Sequence, residues 1–201
     1  MRTLTYTWRA GNAEHELRLV PVPGTAGRPY LFGADPNRQP IEIRAFHMMS
    51  TPVTQALWAQ VMGSNPSKRQ EPRHPVENVS WDQIAGPGGF LDRINASGIL
   101  AAVSGSDPTR RFRLPSETEW EYAARGGPNW TDWEWCQDTC VDDITAVPRD
   151  RTPWPGPGTE RRLRGGCHHN WDIHCTVWFR YGIAQETHDG CIGFRLVLAP
   201  V

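Results

Sequence analysis

The stretch Arg113-Leu-Pro-Ser-Glu-Thr-Glu-Trp-Glu-Tyr-Ala-Ala-Arg-Gly-Gly127 decides how the rest of the chain is read. Ser116 and Glu119 have the spacing of a capping box, in which the hydroxyl accepts from a backbone N–H inside the helix and the carboxylate reaches back to the cap. A short helix is therefore expected from Ser116 through Trp120 and Ala124, ending at Gly126-Gly127.

Similar local signals extend toward the N-terminus. Leu4, Tyr6 and Trp8 alternate with threonines, Ala10-Gly-Asn12 interrupts, and Leu17, Leu19 and Pro21 resume, the pattern of a β-hairpin. Ile41 to Phe46 reads as another strand with period two. Thr51-Pro52 reads as an N-cap followed by a first helical position, with Val53, Leu57, Trp58, Val61 and Met62 on one face and Gly63 as the stop. Ser80 and Gln83 form a second capping box, and Gly86-Pro-Gly-Gly89 breaks that helix before Phe90, Leu91 and Ile94. Toward the C-terminus, residues 128–163 read as loop, Arg161 to Gly166 as a strand into a turn, and Ile192 to Leu198 as one closing strand.

Composition narrows the classes. A chain of 201 residues suits one domain, and 19 Gly with 18 Pro suit a loop-rich one, which excludes a helical bundle. No apolar run approaches a membrane span and the first residues lack a signal peptide's apolar stretch, so no export address is expected. A net charge of -1 leaves no basic footprint for nucleic acid. Five cysteines without a Cys-x-x-Cys pair argue against a disulfide framework. Tryptophan is in excess: of 10, seven lie between Trp120 and Trp178. Trp58, Trp81, Trp120, Trp133 and Trp135 are expected in the core.

Taken together, Thr51-Pro-Val-Thr54, Asn65-Pro-Ser67, Pro75-Val76, Val79-Ser-Trp81, the Arg113–Gly127 block, Trp133-Glu-Trp-Cys136 with Asp138, Leu163-Arg-Gly-Gly166 and Ile192-Gly-Phe-Arg-Leu-Val197 resemble the formylglycine-generating-enzyme (sulfatase-modifying factor) domain over roughly residues 20–198. The resemblance implies an α+β, C-type-lectin-like fold, loop-rich, with short helices and small antiparallel sheets, residues 1–201 forming a single domain. Two departures bear on activity. The long insertion with metal-binding loops that the family carries after its Gly-Gly pair is reduced to Pro128–Asp132, so no calcium site is expected. The family's enzymes oxidise with two cysteines at the fourth and ninth positions after the second Gly-Gly pair, which are Asn170 and Cys175 here. An amide does not replace a thiolate for copper(I), so no catalytic residue and no cofactor are expected. A copper-dependent thiol oxidase using Cys167 with Cys175 is the alternative.

Residues 167–191 hold four of the seven His and three of the five Cys, and differ from the stereotyped family sequence while the flanking motifs persist. A retained frame with replaced filling resembles the variable proteins of diversity-generating retroelements, in which adenine-directed errors diversify a C-terminal segment on a lectin-like scaffold. The resemblance implies a ligand-binding surface within this segment: His168, His169, Asn170, Trp171, Asp172, Ile173, His174, Trp178, Tyr181, Ile183, Gln185, Glu186, Thr187, His188 and Asp189, with Trp171, Trp178, Phe179 and Tyr181 as aromatic anchors. Residues that adenine substitution of an Asn codon cannot produce (Gln, Glu, Lys, Met, Trp) make up four of these 25 positions, the same 16% as their 29 of 176 elsewhere, so composition does not discriminate. The partner implied is a protein or other surface ligand, not nucleic acid, bound by a monomer that is cytoplasmic or reaches a phage or cell surface through partners. His168, His169, His174, Cys175, His188 and Cys191 match no standard zinc spacing, and Cys136 and Cys140 are expected as free thiols. No nucleophile elbow places a hydrolytic triad.

Overall fold

The computed structural model describes residues 1–105, 107–125, 132–166 and 175–200. Its elements in chain order are β1 (Leu4–Ala10), β2 (Ala13–Val22), β3 (Tyr30–Phe32), β4 (Gln39–Ile41), β5 (Phe46–Met49), α1 (Gln55–Met62), α2 (Trp81–Ala85), α3 (Phe90–Ala96) and α4 (Gly98–Ser104). They continue with β6 (Arg110–Arg113), α5 (Glu117–Ala124), β7 (Trp133–Thr139), β8 (Glu160–Arg164), β9 (Tyr181–Ala184), β10 (Ile192–Gly193) and β11 (Val197–Pro200).

The hairpin forms as its alternation predicts. Leu4 faces Leu19 and Trp8 faces His15 across β1 and β2, with Gly11 at φ 61° in the turn. A five-stranded sheet runs β1-β2-β5-β11-β6 and a four-stranded sheet runs β10-β7-β8-β9, with β10 parallel to β7 and the other pairs antiparallel. Both capping boxes are present, at Ser80–Gln83 and Ser116–Glu119.

Four expectations change. Ile41 and Ile43 are buried in alternation with exposed neighbours, but residues 42–45 form no ladder; Ile43 exchanges bonds with Thr25, and the Glu42 N–H donates to the Arg149 carbonyl. The first helix begins at Gln55, capped by Thr54 rather than Thr51, because the Val53 N–H donates to the Phe194 carbonyl and the Val53 carbonyl accepts from Val76. Gly63 stops it in the left-handed conformation, as expected. Residues 133–139, read as loop, form β7. The closing strand divides, Ile192-Gly193 joining the four-stranded sheet and Val197–Pro200 the five-stranded one.

The four-stranded sheet separates two apolar clusters. Trp133, Trp135 and Leu163 face the larger, where Trp58 stacks on Phe90 at 5.2 Å and Phe194 meets both edge-on. Cys136 faces the smaller, beside Trp120 of α5. Trp58, Trp81, Trp120, Trp133 and Trp135 are all buried. The indole N–H groups of Trp81 and Trp135 donate to the carbonyls of Cys136 and Val79, which fixes α2 against β7.

Candidate functional site

The face of the four-stranded sheet toward α5 is charged and nearly dry. Strand alternation sends Arg162 and Arg164 of β8 to this face, and the helix presents Glu117 and Glu121, all four side chains buried, while Glu119 turns to Arg113 of β6. Arg164 donates to Glu117 at 2.8 Å and to Glu121 at 2.6 Å, and Arg162 lies 3.4 Å from Glu117. Glu121 also accepts from the Tyr30 hydroxyl at 2.7 Å, the Gly33 N–H at 2.8 Å and Arg125 at 3.0 Å.

This frame grips the segment that enters β9. Arg180 donates to both oxygens of Glu117, at 2.7 and 2.9 Å, and to the Asp142 carbonyl at 3.2 Å. Arg164 donates to the Val177 carbonyl. Burial pushes the Glu117 carboxyl up, but the bonds and charge of Arg180, then the charges of Arg164 and Arg162, outweigh it and hold the group at about 2. Asp138, buried one strand away, accepts from the Glu117 and Trp154 N–H groups at 2.7 and 2.9 Å, yet burial and the charge of Glu117 push it up to about 7. Burial also raises the Cys136 thiol well above its ordinary range.

On this support, Trp178 and Tyr181 are each 46% exposed. The Tyr181 ring sits 5.6 Å from that of Trp133, which anchors its base. Phe179 and Ile183 are half-buried against the larger core instead of standing outward. Gln185 braces its surroundings: its amide oxygen accepts from Arg161 at 3.1 Å and its N–H donates to the Thr159 carbonyl. Glu186, His188 and Asp189 are exposed and Thr187 is half-buried. His188 Nδ1 lies 3.2 Å from the Asn78 carbonyl, and the Asp189 carbonyl accepts from the Asn78 N–H at 2.9 Å, so this end of the segment is also tied down. Gly190 and Cys191 border a cleft of about 280 Å³ with His74, Glu77 and Asp132. His168, His169, Asn170, Trp171, Asp172, Ile173 and His174, with Cys167, lie outside the described residues.

Cys136 and Cys140 are free thiols, as expected, and Cys175 is exposed. Among the described residues no three His, Cys, Asp or Glu side chains gather to hold a metal. One thiol and one amide, at 175 and 170, do not fit the two-thiolate donor set that copper(I) prefers. No helix among the described residues is long and apolar enough to cross a membrane. The supporting frame of Glu117, Glu121, Arg162, Arg164 and Arg180 is not among the residues singled out from sequence. The signal is the spacing: Glu117 and Glu121 stand four residues apart on one side of a helix, and Arg162 and Arg164 two apart on one side of a strand.

The sulfatase-modifying factor enzyme 1-like domain family matches residues 11–132. The chain belongs to this family. The formylglycine-generating enzyme of Streptomyces coelicolor is 26% identical over 199 residues, covering 70% of this chain and 57% of that protein. An inactive Cα-formylglycine-generating enzyme 2 of Mus musculus is 34% identical over 84 residues, covering 42% of this chain and 21% of that protein. This sulfatase-modifying-factor-like chain thus spans little more than half of the first relative and about a fifth of the second. Among solved structures, variable protein 1 of Treponema denticola superposes with a TM-score of 0.72 at 24% identity, covering 98% of this chain and 99% of that one. The α+β, C-type-lectin-like fold expected for the family is the fold observed.

Proposed function

We propose that this protein is a non-catalytic ligand-binding protein of the retroelement variable-protein type, a single domain that acts as a monomer and binds a protein or other surface ligand through residues within 167–191. The observation that carries the reading is the exposed pair Trp178 and Tyr181 standing on a buried ionic frame through Arg180 and Glu117. Large rings on a rigid support bind with little loss of conformational entropy. The fold shared with Treponema denticola variable protein 1 supports the reading, as does the amide at position 170, where the family's oxidase chemistry uses a thiol. Sequencing the DNA around the gene tests it. A near-copy of the coding region for residues 164–195, differing at adenines and lying beside a reverse-transcriptase gene, is expected; its absence ends the reading.

The relation to a formylglycine-generating enzyme, with Cys175 exposed, favours a second reading as a copper-dependent thiol oxidase. That reading requires O₂-dependent conversion of a cysteine peptide and a copper affinity that Cys175→Ser abolishes. Activity and affinity untouched by the substitution exclude it.

A further inference from the structure

We infer that the free edge of β9 binds an extended, arginine- or lysine-bearing segment of a partner protein by adding it as a fifth strand to the four-stranded sheet. The inference rests on the ligand-binding reading and names the chemistry of the ligand. β9 is the outermost strand in the order β10-β7-β8-β9. The bond from the Gln185 N–H to the Thr159 carbonyl sets the phase of the β8–β9 ladder, in which Ile183 pairs with Arg161 and Tyr181 with Leu163. Because bonded and non-bonded pairs alternate in an antiparallel ladder, Gly182 and Ala184 turn their backbone groups away from β8. The Ala184 carbonyl is taken by Thr187 at 3.0 Å. The Ala184 N–H and both backbone groups of Gly182 have no partner among the described residues. No lysine, proline or bulge interrupts Tyr-Gly-Ile-Ala along this edge.

Charge selects the occupant. Glu160 is the cross-strand neighbour of Ala184, Glu186 lies two residues beyond it, and the Asp142 carbonyl is bonded by Arg180. All three acidic side chains are exposed, and none is in an ion pair among the described residues. The nearby arginines are engaged: Arg162, Arg164 and Arg180 face Glu117, while Arg161 stacks 3.9 Å over the Trp81 ring and donates to Gln185. The edge is therefore acidic with two exposed aromatic rings close by, Trp178 and Tyr181, which also attract cations through their faces. An extended segment with alternate basic side chains, all turned to the face that carries Glu160, satisfies the backbone groups and the carboxylates together.

Fluorescence anisotropy with the full chain and a labelled (Arg-Thr)₄ peptide tests this, with (Glu-Thr)₄ as control. Binding of the basic peptide alone is expected, weakening as salt rises. Combined Glu160→Lys and Glu186→Lys should weaken it about tenfold. Ala184→Pro, which removes one outward N–H without touching the ladder to β8, should weaken it by a similar factor, and a peptide N-methylated at alternate residues should not bind. Equal binding of both peptides, or an affinity unmoved by the charge reversals, overturns the inference; an affinity unmoved by Ala184→Pro overturns strand addition. The two lysine substitutions fall on exposed side chains and leave the fold intact. A missing template copy beside the gene would remove the retroelement reading while leaving these binding results standing, whereas a template copy with no peptide binding would remove this inference alone.

Discussion

Replacing Arg180 with alanine removes the tie between the β9 segment and α5. Three hydrogen bonds vanish: the 2.7 and 2.9 Å bonds to Glu117 and the 3.2 Å bond to the Asp142 carbonyl. A bond to a charged group contributes about 1.5–3 kcal/mol net. The full penalty for stranding a buried charge, about 3–5 kcal/mol, does not apply, because Glu117 keeps Arg164 at 2.8 Å and Arg162 at 3.4 Å. The expected loss is about 2–4 kcal/mol, a fall in Tm of about 5–15 °C for a chain of this size. Arg180→Lys should lose about half as much, since an ammonium cannot span both oxygens. The pH dependence follows from Glu117. Its folded carboxyl lies at about 2 against an ordinary 4.5. The stability it contributes is therefore fully present above pH 4.5 and disappears as pH falls through about 2. The penalty of Arg180→Ala should be largest at neutral pH and shrink across that window. Urea denaturation at neutral pH and at the acid end of the window measures it. A neutral-pH difference below about 0.5 kcal/mol, the size of an ordinary surface change, would refute the tether.

Three further outcomes are expected. A Cβ at Gly182 runs into Cys140 Sγ, so Gly182→Ala should destabilise by about 1–3 kcal/mol and Cys140→Ala should recover most of the loss, a coupling that a double-mutant cycle reads directly. Asp138 keeps its proton up to about 7 in the folded chain against 3.8 ordinarily. Its contribution is complete below pH 3.8 and is lost as pH rises through about 7, and Asp138→Asn should flatten that part of a stability–pH curve. Trp120→Phe removes the 3.0 Å bond to the buried carboxylate of Glu134 and should cost about 1–3 kcal/mol by thermal or chemical unfolding.

Features legible in the sequence are those whose causes are local. The capping boxes at Ser80 and Ser116 place hydroxyl and side-chain acceptor three residues apart, and the β1–β2 hairpin declares itself by alternation around a glycine turn. At the start of α1, Thr51-Pro52 offers the same local chemistry as Thr54, and the choice between them is made by the backbone of Phe194, far along the chain. β7 was hidden for a related reason. Glu134 and Asp138 are charges whose burial depends on distant partners: Glu134 meets Arg195 across 61 positions and Asp138 the N–H of Glu117 across 21. The same holds at the candidate site: Trp178 and Tyr181 announce themselves as anchors, but the arginine that steadies them pairs with Glu117 across 63 positions. Ile183 and Phe179 could be sorted from the anchors only by the core beneath them.

The alternation of free and fixed positions along this edge constrains how the segment evolves. Trp178 and Tyr181 are open to exchange for other side chains, while Arg180 between them and Gly182 after them are held by Glu117 and Cys140. Substitution at the open positions leaves the tether in place. A single inserted or deleted residue would rotate the whole strand by one step, carrying Arg180 away from Glu117 and a side chain into the space that only Gly182 fits. From Trp178 to Gly182 the chain therefore has room for new side chains at its exposed positions but none for a change of length.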